Sequence, residues 1–138
     1  MNLCVSRYGI LVVGLLLLSG CGERGPHTVP VYGTVSFVGR DAPKTVRLVF
    51  KPVKTEGLTR PAVAERSPNG SYQAKSFSTS KGLIPGTYQI EITYYDLKPG
   101  GDPNKESSWA ELIFDAGELV VDSNSSGMEH NIEIPKKE

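Results

Sequence analysis

The sequence predicts an all-β fold, a sandwich of seven or eight antiparallel strands, and three observations predict it. Several short segments alternate apolar and polar residues with period two, which sends one face of a strand to a core and the other to water. Turn residues punctuate them, with 15 Gly and 10 Pro among 138 residues. No long segment shows the 3.6-residue apolar period of an amphipathic helix. Many short strands joined by Gly/Pro turns pack as two sheets or a barrel. The 38% hydrophobic content supplies a core and argues against disorder.

The strands follow in order. Val31, Val35 and Phe37 share one face with Gly33 between them, and Tyr32, Thr34 and Ser36 take the other. Val46, Leu48 and Phe50 alternate with Arg47, Val49 and Lys51. Tyr88, Ile90, Ile92 and Tyr94 alternate with Gln89, Glu91, Thr93 and Tyr95, the cleanest pattern in the chain. Ile132 and Ile134 alternate with Asn131 and Glu133. Weaker strands are expected at 61–66, 71–77, 109–115 and 118–122. Between them, Pro68-Asn69-Gly70 reads as a hairpin turn, because Asn-Gly accepts positive φ at little cost. Gly39–Pro43, Lys81–Gly86, Pro99–Pro103 and Asn124–Gly127 are the other turns, and 104–111 is the one place for a short helix.

The N-terminus sets the compartment. Arg7 precedes an unbroken apolar run, Tyr8 to Leu18, that is too short for the roughly 20 residues of a membrane span. The run fits the apolar region of a signal peptide. It ends Leu18-Ser19-Gly20-Cys21, which resembles the bacterial lipobox. Small residues there fit a narrow peptidase cleft, and the Cys21 thiolate is the nucleophile that accepts diacylglycerol. Residues 1–20 are then a lipoprotein signal peptide, 21–29 a flexible lipidated tether and 30–138 the folded domain. Two or more acyl chains anchor stably without a span, so the membrane is the first partner. Gly22 stands where Asp often marks inner-membrane retention, which points to the outer membrane. Cys4 leaves with the signal and Cys21 is acylated, so no disulfide remains for the body. His27, in the tether, is expected to be solvated.

Four segments carry a family resemblance. Pro30–Phe37, Val46–Pro52, Asn69-Gly70-Ser71-Tyr72 and Gly82-Leu83-Ile84-Pro85-Gly86-Thr87-Tyr88 resemble successive motifs of carboxypeptidase regulatory-like domains. The resemblance covers 30–94 and implies a transthyretin-like (prealbumin-like) sandwich with an accessory role. An immunoglobulin-like strand order stays open, because the sequence does not fix the order. The last motif has its own physical reading: Gly82 and Gly86 admit dihedrals closed to other residues, Pro85 stiffens the corner, and Tyr88 buries its ring while its hydroxyl reaches backbone.

Chemistry finds little support. Lys plus Arg and Asp plus Glu are both 15, so the chain lacks the basic excess of a nucleic-acid binder. His130 and Glu133 have a zinc-ligand spacing, but residues three apart on a strand face opposite ways. Asp122, Asn124, Ser126, Gly127 and Glu133 imitate parts of a calcium loop, yet strands, not helices, flank them, and a plain turn is expected. No hydrolase triad, nucleophile elbow or phosphate-binding glycine loop is present. No catalytic residue, metal or cofactor is therefore expected. Tyr95, Asp96, Asp102 and Trp109 remain as a candidate ligand-binding edge, able to stack on and hydrogen-bond a sugar or a protein surface. The alternative for Trp109 is a cover over the end of the core. The expected function is a lipid-anchored, non-catalytic envelope module that contacts an envelope protein, or else a polysaccharide-binding lipoprotein using the 95–109 edge.

Overall fold

The structure is a computed structural model, described over residues 25–55, 60–76 and 81–136. The expected signal segment, Cys21 and the start of the expected tether lie outside the described residues. Among the described residues eight strands form two sheets. The smaller sheet holds β1 (Val31–Phe37) at its centre, β4 (Ser71–Gln73) on one side, and β7 (Met128–Glu129) and β8 (Ile132–Ile134) on the other. The larger sheet has the order β3 (Ala62–Glu65), β2 (Val46–Thr55), β5 (Gly86–Leu97), β6 (Trp109–Val121).

The period-two patterns became the core. Val31, Val35, Val46, Leu48, Phe50, Tyr88, Ile90, Ile92, Tyr94, Ile132 and Ile134 all point inward and are buried. Tyr72, Ala62, Ala64, Leu83, Leu119 and Val121 complete the interior. Their outward neighbours Arg47, Lys51, Tyr95 and Glu133 are exposed. Burying one such Leu or Ile contributes about 2 kcal/mol from its apolar area alone.

Antiparallel pairing dominates among the strands, and the parallel pairs flank β1. β7 and β8 run parallel to β1, and they keep one register: Val31 faces Met128 and Val35 faces Ile132. They behave as a single strand bowed at His130-Asn131. Gly33 explains the bow. A Cβ on Gly33 would lie 2.0 Å from the His130 carbonyl oxygen, so only glycine lets that backbone press onto β1. The displaced groups are still satisfied. The Tyr72 hydroxyl donates to the His130 carbonyl at 2.7 Å, and Thr34 N–H donates to Asn131 Oδ1 at 2.9 Å.

Several expected boundaries shift. Pro68-Asn69-Gly70 makes a turn, with Ser67 N–H bonded to the Ser71 carbonyl at 2.7 Å, but not a hairpin within one sheet. It carries the chain from β3 in the large sheet to β4 in the small one. Arg66 steers that crossing, because its Nε donates to the Val35 carbonyl at 2.8 Å. The strand expected at 71–77 stops at Gln73 and resumes only as a bridge between Lys75 and Val63. The strands expected at 109–115 and 118–122 are one strand, β6, with a bulge near Gly117 (φ 82°) whose N–H is capped by Asp115 at 2.8 Å. The helix expected at 104–111 shrinks to a 3-10 turn, Glu106–Ser108, because Trp109 already pairs with Leu97. Val29, expected in the tether, belongs to the body: it is buried and exchanges backbone hydrogen bonds with Leu83 at 2.8 and 2.9 Å.

The Gly82–Tyr88 corner holds that junction. Gly82 (φ 147°) lies so close to β1's leader that a Cβ would meet the Val29 carbonyl oxygen at 2.5 Å. Pro85 is buried beside it, and Gly86 has φ 149°. Tyr88 is buried, and its hydroxyl donates to the Ile84 carbonyl at 2.7 Å. Burial pushes the Tyr72 and Tyr88 phenols up, so their ionisation opposes folding only in strong alkali.

Gly33→Ala is expected to destabilise the domain by about 1–3 kcal/mol or more, because backbone on both strands has to move. Gly25→Ala, whose Cβ meets nothing within 4 Å, is expected to leave stability unchanged. Urea unfolding of the two variants checks the pair.

Candidate functional site

Pairing of β5 with β6 builds the candidate site. Tyr95 sits opposite Glu111 and Leu97 opposite Trp109, so Tyr95, Glu111 and Trp109 share the outer face of the large sheet. With Glu106 from the 3-10 turn they line a shallow recess of about 490 Å³. Tyr95 is 44% exposed and Trp109 37%, enough to offer both rings to a ligand. The Trp109 indole N–H donates to the Pro103 carbonyl at 3.3 Å, which fixes the ring on the loop. Trp109 therefore does not cover the end of the core.

The loop behind the recess is self-bonded. Lys98 N–H donates to the Ser108 carbonyl at 2.8 Å, and Gly101 N–H to the Lys98 carbonyl at 2.8 Å. The Lys98 ammonium is held on the Ser107 carbonyl at 2.8 Å. Asp102 belongs to this scaffold and not to the recess lining. Its Oδ1 accepts the Asn104 backbone N–H at 2.9 Å, an Asx turn, and its own N–H donates to Ser108 Oγ at 3.1 Å.

Asp96 also departs from the expected site. It is adjacent to Tyr95 on a strand, so it points to the opposite face. There it pairs with Arg40 and accepts the Leu97 N–H at 3.1 Å. The Arg40 guanidinium lies 5.0 Å from the Phe37 ring centre and 5.1 Å from that of Tyr94. Phe37 and Tyr94 meet edge-on at 5.3 Å. Arg40 Nε and Nη2 are buried without an oxygen acceptor, and the two ring faces take that role. This cluster closes the end of the core, the task the sequence left to Trp109. The sequence pattern did not single out Arg40, Glu106 or Glu111. Glu111 had a signal, its place on the outer face of the 109–115 strand, but pairing with Tyr95 needs the register.

The start of the 122–133 segment, 122–127, is a satisfied turn, and the rest runs into β7 and β8. Asp122 Oδ1 accepts the Asn124 N–H at 2.9 Å, the Ser125 N–H donates to the Asp122 carbonyl at 3.1 Å, and Ser125 Oγ donates to the Gly127 carbonyl at 2.9 Å. Among the described residues no three His, Cys, Asp or Glu converge on a metal-sized point. No helix among them is long and apolar enough to cross a membrane. His27 is exposed, with its Nε2 3.2 Å from the Ser123 carbonyl oxygen.

The site and the tether occupy opposite ends. Val29, Leu83, Gly86 and Val121 cluster where the tether joins the body. Phe37, Arg40, Asp96 and the 98–108 loop lie at the other end of the same strands. Comparison with family models, with curated proteins and with solved structures found no match.

His130 is half-buried in the bow of β7–β8, and burial lowers its imidazole below the ordinary 6.5. The folded state thus favours neutral His130, and the unfolded chain binds the proton more readily. Its contribution is complete above 6.5 and is lost as pH falls below that value. Urea midpoints at about pH 7.5 and about pH 5.5 are expected to fall with acid, and His130→Gln to shrink that difference.

Proposed function

We propose that this chain is a non-catalytic β-sandwich interaction module, held to a bacterial membrane by lipid on Cys21. Its place is the outer membrane, from the residue after the lipobox. One observation carries the reading: the body meets its tether at one end and presents the Tyr95–Trp109 recess at the other. The segment 21–28 reaches at most about 28 Å when extended. The run of β5 from Gly86 to Tyr95 then carries the recess about 30 Å beyond the junction. An anchored domain built this way holds its aromatic face clear of the bilayer, where tethering raises effective concentration for weak contacts. The four sequence motifs support a carboxypeptidase regulatory-like, transthyretin-like domain with an accessory role. The partner in this reading is an envelope protein. Metabolic labelling with an alkyne palmitate analogue tests the anchor. The wild type is expected to take up label and fractionate with membranes, and Cys21→Ser to lose both; an unlabelled wild type contradicts the reading.

A second reading is favoured by the recess itself. Two exposed rings beside two carboxylates also suit sugar stacking and hydroxyl hydrogen bonding, so the ligand is envelope polysaccharide. In that case Trp109→Ala is expected to release the protein from insoluble cell-wall glycan, by about 1–3 kcal/mol of lost stacking. Unchanged retention removes the reading.

A further inference from the structure

The edges of the large sheet are unequal. At β3, Lys75 covers the outer side: Val63 N–H reaches the Lys75 carbonyl at 3.3 Å and Lys75 N–H the Val63 carbonyl at 3.1 Å. At β6, no strand pairs on the outer side among the described residues. Proteins usually blunt such an edge with Lys, Pro or a bulge. Trp109–Phe114 has none of these, and the bulge comes only after it, near Gly117. The segment therefore keeps an extended backbone whose outward amides and carbonyls have no strand partner among the described residues.

Its two faces define what can pair there. On the inner face Leu112 and Phe114 are only half-buried, and they line a groove with Tyr94, Ile134, Pro135 and Lys136, whose ammonium keeps basic side chains of a partner on the outer face. On the outer face Ile113 is 66% exposed, and Glu111 stands beside Tyr95 and Trp109 in the recess. From 106 to 121 the chain has Glu106, Glu111, Asp115 and Glu118, with no Lys or Arg. Tyr95 OH is 3.5 Å from Glu111, a weak contact that leaves the carboxylate available. The nearest loop ammonium with a defined contact, Lys98, is held on Ser107.

We propose that Trp109–Phe114 captures an extended basic segment of a partner polypeptide, which adds as a fifth strand to the large sheet. Backbone pairing to β6 supplies affinity, as in other strand additions. Alternate side chains of the segment then face opposite ways. Apolar ones cover Leu112 and Phe114. Lys or Arg side chains face Glu111 and Glu106, with the cation over the Trp109 or Tyr95 ring. Charge disfavours a second copy of this chain in the register that centres on Ile113. Antiparallel β6–β6 pairing centred on Ile113 sets Glu111 against Asp115, which is like-charge repulsion. A glycan fills the recess but leaves the edge amides and the apolar groove unused. The proposal names a partner chemistry for the interaction module and rests on that reading, but not on the lipid. Loss of Cys21 acylation therefore leaves peptide capture measurable, and loss of capture leaves the anchor standing.

The test uses the full chain in neutral detergent and a fluorescent hexapeptide, Lys-Val-Lys-Val-Lys-Val, followed by anisotropy. Saturable, salt-weakened binding is expected. N-methylation of alternate peptide residues, which blocks backbone donation, is expected to weaken it at least about tenfold. Glu111→Lys, an exposed change checked for an unaltered melting curve, is expected to weaken it about tenfold. Any of four results overturns the proposal: no saturable binding, equal affinity for the N-methylated peptide, equal affinity of Glu111→Lys, or a dimer joined through β6 in sedimentation. So does a chitin hexasaccharide that displaces the peptide and quenches the single tryptophan, Trp109.

Discussion

The continuous pairing of β5 with β6 is the constraint on which the rest of the molecule depends. It starts at Gly86–Val121, beside the tether junction, and ends at Leu97–Trp109, beside the recess. One ribbon thus fixes the length of the body, places Tyr95 against Glu111, and leaves β6 as an outer strand. The apolar alternation of β5 makes this possible. Tyr88, Ile90, Ile92 and Tyr94 are buried without interruption, so the strand is held along its whole length. A break in that stripe would let the distal end fray and scatter the recess.

Stability comes from packing, with few alternatives. The two cysteines lie in the N-terminal segment, so no disulfide cross-links the body. The ion pairs Arg40–Asp96 and Lys51–Glu91 are partly exposed, and pairs of that kind contribute about 0–1 kcal/mol each. Truncating one buried Leu48 or Ile92 to Ala costs about 2–5 kcal/mol. The core therefore outweighs surface charge. The bow at His130 shows the same economy. Gly33 admits the backbone, and Tyr72 and Asn131 satisfy what the bow leaves unpaired.

Much of the fold was legible because period two is a local signal. Each strong strand and its buried face followed from neighbouring residues alone. What needed partners was not legible. Pro68-Asn69-Gly70 announced a turn, but only Arg66 on the Val35 carbonyl decides that it crosses between sheets. The parallel run of β7 and β8 beside β1 has no local mark. At the site, Tyr95 is legible as an outward aromatic and Trp109 as the end of the long loop, and the two share a recess. Asp96 was grouped with them by adjacency in sequence, whereas strand alternation turns it to Arg40. Asp102 looked like a ligand group because loop carboxylates are often exposed, yet its oxygen closes an Asx turn. Glu106 and Glu111 entered only through the register of β5 with β6.

The chain's entry at Val29 and the recess stand at opposite ends of the β5–β6 ribbon. Spin labels at Ser107→Cys and Ser123→Cys, with Cys4 and Cys21 replaced by Ser, measure that separation directly by pulsed dipolar spectroscopy. These positions flank β6, whose 13 residues span about 40 Å. A narrow distribution near about 40 Å is the expected result. A distance below about 20 Å, or one too broad to assign, would contradict the account.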